Sequence, residues 1–293
     1  MSDIYDKALE VWQKGQVIKD DYHSSTGLIS NSFIKAFKKC EFGAVIEYAR
    51  VEPSDTEFNQ NYAIGHLVEA QVFEDEAGFQ KMVNRYKDNI YQKNGNLYKW
   101  AEDCRLYAES ILRHDTIKRL LRSESSVYHK TVIFDLYGLK CKMEADYFNE
   151  NKQIEVDLKT TAKSFSERSW NPAMNSKDKI GGLTFIDEHD YHQQRAFYQV
   201  GIESVYGFKP TPHILAVSKK NMSVRMFGFD DQVRLDRRIQ LLKPVFEKIK
   251  EVISGEQEPE KCEECPKCVA NEKITGVIAV SQYCPEIIPE DEY

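Results

Sequence analysis

The chain has 293 residues, 41% hydrophobic and 30% charged, enough for one large domain or two modest ones. No apolar run approaches the roughly 20 residues of a membrane helix. The opening Met-Ser-Asp-Ile-Tyr-Asp lacks the basic stretch and apolar run of a secretory signal, so a cytoplasmic protein with no membrane partner is expected. The net charge of −7 is unevenly spread: eleven Asp/Glu against three Lys/Arg from Glu251 onward put −8 in the tail and leave about +1 for the first 250 residues. A local basic channel for nucleic acid is compatible with such a body.

The hydrophobic spacing predicts helices first. Residues 2–14 read as a short amphipathic helix and 21–27 as a loop; Ser30 or Asn31 caps a helix through Phe33, Ile34 and Phe37 towards Cys40. Glu52-Pro53-Ser54-Asp55 is a break. Tyr62–Phe73 is a helix with His66 in its middle and Glu69 three residues on, a surface or supporting residue. Residues 79–91 and 99–122 are further helices. Their Lys and Arg residues, interleaved with Tyr86, Tyr91, Tyr98, Trp100 and Tyr107, fit either solvated faces with aromatic anchors or a DNA-backbone surface. Strands follow at about 127–137, 139–148 and 153–159. Ala162–Asp187, with Asn171-Pro172 and Gly181-Gly182, reads as a flexible loop and a candidate lid. A helix over His189–Gly207, strands over Thr211–Ser218 and Ser223–Phe229, and one long helix from Asp230 to about Ile253 complete the pattern. The expected fold is α/β in a single domain: a helical part over 1–125, an α/β core over 126–254 and a cysteine-rich acidic segment over 255–293.

The chemistry centres on residues 144–161. Met143, Ala145, Tyr147 and then Ile154, Val156, Leu158 alternate with polar residues, and Asn149-Glu150-Asn151-Lys152 is a turn, so two strands form a hairpin. Asp146 sits on the first strand. Asp157 and Lys159 share one face of the second. Two carboxylates and an ammonium at the edge of a buried sheet are costly unless paired, and a divalent cation held by the carboxylates is one solution. That is the outline of a phosphodiesterase site.

These residues resemble the PD-(D/E)XK nuclease signature, here Asp146 followed by Asp157-Leu158-Lys159. The resemblance extends to the phage exodeoxyribonuclease VIII-like (RecE-like) branch. Thr160-Thr161 follows the lysine, and Gln194 and Tyr198 match its Gln-x-x-x-Tyr helix. Gly65-His66 matches its histidine position, and Tyr22-His23 with Leu28-Ile29-Ser30-Asn31-Ser32 its entry motif. Ala145 stands where a proline is common, with no loss of chemistry. What the resemblance implies is a restriction-endonuclease-like core, a mixed sheet flanked by helices, and a Mg²⁺- or Mn²⁺-dependent exonuclease acting on double-stranded DNA ends, 5′→3′. His66, Asp146, Asp157 and the Leu158 carbonyl would be metal ligands. Lys159 would activate water, with Gln194 and Tyr198 positioning groups. It also implies recombination with a single-strand annealing protein, a bacterial host cytoplasm, and by analogy a ring-shaped homo-oligomer.

Seven cysteines in a chain without export features point to metal before disulfides. Cys262-x-x-Cys265-x-x-Cys268 supplies three corners of a [4Fe–4S] cluster. Cys40 as the fourth ligand resembles the early cysteine of iron–sulfur RecB-type nucleases. Structural Zn²⁺ on the same ligands, or with Cys284 as the fourth, is the alternative. Two other functions fit parts of the pattern: a RecB- or CRISPR-adaptation-type iron–sulfur nuclease on single strands, and a non-catalytic DNA-binding scaffold.

Overall fold

The computed structural model describes residues 3–18, 21–51, 58–272, 277 and 279–280. The expected break at 52–55, Cys284 and the acidic end lie outside the described residues. The amphipathic helix α1 (Asp3–Lys14) buries Tyr5, Ala8 and Trp12, spaced three and four apart. It is tied down at both ends of the chain, since Trp12 Nε1 donates to the Val45 carbonyl at 2.9 Å and the Tyr5 hydroxyl to Val252 at 3.0 Å. Ser30 caps α2 (Asn31–Phe37), its hydroxyl accepting from the Phe33 amide at 3.1 Å. Helix α3 (Glu41–Ala49) follows directly with Cys40 as its cap.

The two expected helices around His66 and residue 79 are one element, α4 (Gln60–Arg85), kinked at Asp75 (φ 63°). Arg122 holds the kink: it donates to the Val72 and Phe73 carbonyls at 2.9 and 2.8 Å and to the Asp75 carboxylate at 2.7 Å. Helix α5 (Lys87–Ile90) is short. The expected helix over 99–122 divides into α6 (Lys99–Leu112) and α7 (Asp115–Leu121). Several of the basic side chains in this region are paired within the fold, such as Arg105 on Glu76 at 2.6 Å.

The three predicted strands, β1 (Ser126–Leu136), β2 (Leu139–Asn149) and β3 (Ile154–Thr161), form an antiparallel meander. The β1–β2 turn is Tyr137-Gly138, both at positive φ (48° and 80°), the two-residue geometry whose twist suits a hairpin. After α8 (Phe185–Glu188) and α9 (Tyr191–Tyr206), β4 (Thr211–Ser218) returns parallel to β3, and β5 (Val224–Gly228) pairs antiparallel with β4. The sheet order is β1-β2-β3-β4-β5, a mixed five-stranded sheet as the α/β expectation requires. The last long helix is broken into α10 (Gln232–Gln240) and α11 (Lys243–Ser254), with Pro244 opening the second, and α12 (Pro266–Ala270) carries the late cysteines.

Helices cover both faces of the sheet. On one, α4 and α6 pack Leu67, Phe73, Cys104 and Ile111 against Val156, Leu158, Leu215 and Val217. On the other, α2, α3, α9 and α11 pack on Phe134, Cys141, Met143 and Phe148. Gly201 lets α9 sit close: a Cβ there would lie 2.7 Å from the Phe134 ring. The 162–187 segment is not the open loop the sequence suggests. Ser169 and Leu183 exchange backbone hydrogen bonds at 2.9 Å each, and Asn171 donates its amide to Ser176 at 2.7 Å, a small closed hairpin. No described helix is long and apolar enough to cross a membrane.

Candidate active site at the β2–β3 hairpin

Alternation along β3 sends Val156 and Leu158 into the α4/α6 layer and leaves Glu155, Asp157 and Lys159 on the α9 side. Parallel pairing to β4 places Asp157 beside Ile214 and Lys159 beside Ala216, deep in the sheet. Asp146 reaches the same spot from β2: its Oδ2 accepts the Leu158 amide at 2.7 Å. The β1–β2 ladder is irregular exactly there. Tyr128 pairs with Tyr147 and Lys130 with Ala145, but His129 and Asp146 do not pair, and His129 has φ 53°. Met143 and Ala145 accordingly pack on the α9 side and Tyr147 on the α4 side, so the alternation over 143–147 does not map onto one face.

Asp157 is 1% exposed and doubly paired. Its Oδ1 accepts Arg195 Nη2 at 2.6 Å, and its Oδ2 ion-pairs with Lys159 Nζ. Arg195, from α9, is fully buried. Its second nitrogen meets Glu155 Oε1, and its guanidinium carbon lies 4.4 Å from the Tyr198 ring centre. Burial raises the Asp157 carboxyl, but the Arg195 and Lys159 charges outweigh it and hold its pKa below the ordinary value. Its neighbours go the other way. Burial, then the Asp157 charge, push Asp146 up to about 6; burial pushes Glu155 up to about 7 against the pull of Arg195. Glu144, on β2, rises to about 7 through burial and the Asp146 charge. Burial lowers the Lys159 pKa, yet Asp157 and Asp146 more than offset it, so Lys159 stays an ammonium.

From α4 the group that senses this cluster is Glu69. Burial and the Asp146 charge raise its pKa well above normal, with Lys159 and Asp157 also acting on it, and its Oε1 lies 3.3 Å from His129 Nδ1. His66, one turn earlier, meets the Tyr86 hydroxyl through Nδ1 at 2.5 Å, which leaves its Nε2 for another partner. On α9, Tyr191, Gln194, Arg195 and Tyr198 share the face over the sheet. The Lys35 and Lys159 ammonium groups each lie 5.9 Å from the centre of the Tyr191 ring. Gln193 is buried against α2, donating to Asn31 at 3.0 Å and accepting from Lys38 at 2.5 Å, whereas the Gln194 side chain makes no hydrogen bond among the described residues.

A family model described as a PDDEXK-like domain of unknown function (DUF3799) matches residues 30–271. The chain belongs to this PDDEXK-like family. A crystal structure of a protein from Eubacterium rectale, described as a "putative exonuclease", superposes on this PDDEXK-like chain with a TM-score of 0.75. The two are 21% identical, and the match covers 93% of this chain and 99% of the other, a likeness of fold. The crystal structure of SSO0001, 13% identical over 81% of this chain and 92% of its own, has a TM-score of 0.28. No curated protein matches the sequence. The family and fold agree with the PD-(D/E)XK signature read at Asp146 and Asp157-Leu158-Lys159.

Of the residues singled out in the PDDEXK-like sequence, Asp146, Asp157 and Lys159 converge, with the Leu158 carbonyl 3.4 Å from Lys159 Nζ. Tyr198 lies behind them under Arg195. The entry motif also docks here, because Lys142 on β2 donates to the Tyr22 and Ser25 carbonyls at 2.7 and 2.6 Å. Sequence reasoning missed Glu155, Tyr191 and Arg195, and gave Glu69 only a surface or supporting place. Glu155 was available as the residue two before Asp157 on a strand, and Arg195 as the residue between Gln194 and Tyr198 on one helix face.

Hard carboxylate oxygens beside a buried lysine suit Mg²⁺ or Mn²⁺, and the burial and then mutual repulsion that raise Glu69, Glu144 and Asp146 are what a cation relieves. The four cysteines are a separate matter. Cys40, Cys262, Cys265 and Cys268 come together as the sequence predicts, and they are the one group of three or more ligand side chains among the described residues whose atoms lie within 4.8 Å of one another. Four thiolates this close together can hold a metal.

Proposed function

We propose that the protein is a metal-dependent exodeoxyribonuclease acting on the ends of linear double-stranded DNA. The observation that carries this reading is the meeting of Asp146 and Asp157 across β2 and β3, with Lys159 beside them and Glu69 facing them from α4. Asp146, Asp157, Glu69 and the Leu158 carbonyl are the groups that would hold Mg²⁺ or Mn²⁺. When bound, the ion supplies charge neutralisation at the phosphoryl oxygens and a more acidic water.

The chain's own residues do the rest. Lys159, held protonated by its two carboxylate neighbours, donates to the scissile phosphate and orients the attacking water; it is no base. Arg195 and Glu155 fix Asp157 from behind, so that one carboxylate oxygen stays committed to the guanidinium and the other faces Lys159. Gln194, whose side chain has no hydrogen-bond partner among the described residues, and Tyr191 line the α9 wall and position the strand. Lys35 lies 5.9 Å from the Tyr191 ring centre, where a further phosphate would meet positive charge. The same reading carries an annealing protein as partner and 5′→3′ polarity.

The test is DNA topology. Linear duplex, closed circular duplex and single strands, end-labelled at 5′ or 3′, are incubated with Mg²⁺ or with EDTA. Digestion of the linear duplex alone, from its 5′ ends and only with metal, supports the proposal. Cutting of closed circles overturns the exonuclease reading. Preference for single strands favours the RecB-type alternative, and no cleavage with any metal favours a scaffold.

A further inference from the structure

We propose that Cys40, Cys262, Cys265 and Cys268 bind one tetrahedrally coordinated divalent ion, zinc being the expected occupant, in place of a four-iron cluster. The Cys40 and Cys268 sulfurs are 3.4 Å apart, Cys40 and Cys265 3.7 Å, and Cys262 and Cys268 3.9 Å, with all four inside 4.8 Å of one another. Four thiolates at about 2.3 Å from one tetrahedral ion have neighbouring sulfurs about 3.8 Å apart. A cubane puts a separate iron under each sulfur and needs about 6 Å.

The backbone around the sulfurs fits the smaller site. Gly43 closes one side: a Cβ there would stand 2.9 Å from Cys265 Sγ and 3.2 Å from Cys40 Sγ, so the first turn of α3 lies directly against two of the ligands. Three amides point at thiolates: Gly43 to Cys40 at 3.2 Å, Cys265 to Cys262 at 3.3 Å and Cys268 to Cys265 at 3.4 Å. Four thiolates and a dication leave two negative charges, and these donors partly offset them. The segment bearing the late cysteines is also docked by backbone, with the Phe42 amide on the Glu260 carbonyl at 3.1 Å and the Glu260 amide on Glu41 at 2.9 Å.

Such an ion joins residues 228 apart in sequence. It also anchors the end of α2, the helix whose Asn31 and Lys38 hold Gln193 of α9. The site is therefore a staple that fixes one wall of the carboxylate cleft without touching it, and its occupancy does not depend on what the cleft does.

The full-length protein is purified anaerobically, and its zinc, iron and acid-labile sulfide are measured. The expected result is a colourless protein with one ion per chain and no sulfide. Replacing the ion with Co²⁺ gives the visible d–d bands of a tetrahedral thiolate site. Cys268→Ser loses the ion, while Cys104→Ala, outside the cluster, retains it. Stripping the ion from the wild-type chain lowers its melting temperature by about 5 °C or more. A brown protein with sulfide and four irons per chain overturns the proposal, as does formation of that cluster on anaerobic reconstitution with ferrous iron and sulfide. Wild-type protein purified with four free, titratable thiols and no metal overturns it equally. The wild-type measurements decide the matter even if a cysteine variant fails to fold.

Discussion

Arg195→Met is the most demanding test of how Asp157 is held. Arg195 and Glu155 are 0% exposed and Asp157 1%, so the methionine fills similar volume but leaves two carboxylates buried without their guanidinium. Breaking a buried ion pair by removing one partner costs about 3–5 kcal/mol. For a chain of this size that is roughly 6–15 °C in melting temperature. The loss has a pH signature. Glu155 already titrates near 7 with Arg195 present, and without it its pKa climbs further. Protonating Glu155 removes much of the penalty, so the cost is largest at pH 8 and shrinks towards pH 5. Adding Glu155→Gln to Arg195→Met recovers part of the loss, and the double-mutant cycle gives a coupling of about 1–3 kcal/mol. The assay is urea unfolding at pH 5, 6.5 and 8 on the four proteins. A loss below about 0.5 kcal/mol, or one equal at all three pH values, refutes the idea that Arg195 compensates this pair.

Three further outcomes follow from the same geometry. Glu69→Gln raises the Mg²⁺ concentration needed for half-maximal nuclease activity about tenfold or more, while His66→Gln changes it less than about twofold; a Mg²⁺ titration of both variants checks the ranking. The ion-free protein loses stability as pH rises from about 5 to 8, because Glu144, Asp146 and Glu155 have folded pKa values of about 7, 6 and 7, above their unfolded values. Between the two values the folded state holds protons that the unfolded state has released, so stability is greatest below the unfolded pKa and is lost through the folded one. Mg²⁺ should raise the melting temperature more at pH 8 than at pH 6, as calorimetry can show. Gly43→Ala drives a methyl against Cys265 Sγ and Cys40 Sγ, so it lowers stability by about 1–3 kcal/mol and weakens metal retention, read by unfolding and metal analysis.

The β2–β3 hairpin was legible because a half-buried strand writes its period into the chain: Val156 and Leu158 against Asp157 and Lys159 leave one arrangement. The crossover helix and the strand β4 were legible for the same reason, but the parallel pairing of β4 with β3 was not. Continuity of α4 was not, because it depends on Arg122, 47 residues away, bridging the kink at Asp75. The breaks in the helices over 99–122 and 230–253 rest on local turns at Arg113 and Leu241, where neither a glycine nor a proline marks the stop itself. At the site, helical spacing put His66 and Glu69 on neighbouring positions but could not say which of them meets the sheet; Glu69 does so, with its Oε1 3.3 Å from His129 Nδ1 on β1. Arg195 escaped notice because a buried arginine is rare and only the fold shows its partners on β3. The cysteine quartet was readable as a set, and its size was not, since sulfur separations come from the docking of α12 on α3.

The central claim is that the cluster at Asp146, Asp157 and Lys159 performs metal-dependent phosphodiester hydrolysis. Acid-soluble nucleotide release from a linear duplex measures it, for the wild type, Asp157→Asn and Lys159→Ala, each checked for native melting behaviour. The account predicts release with Mg²⁺ that EDTA abolishes, no detectable release by Asp157→Asn, and a rate about 100- to 10,000-fold lower for Lys159→Ala. Wild-type release that persists in EDTA, or a folded Lys159→Ala variant as fast as the wild type, would contradict it.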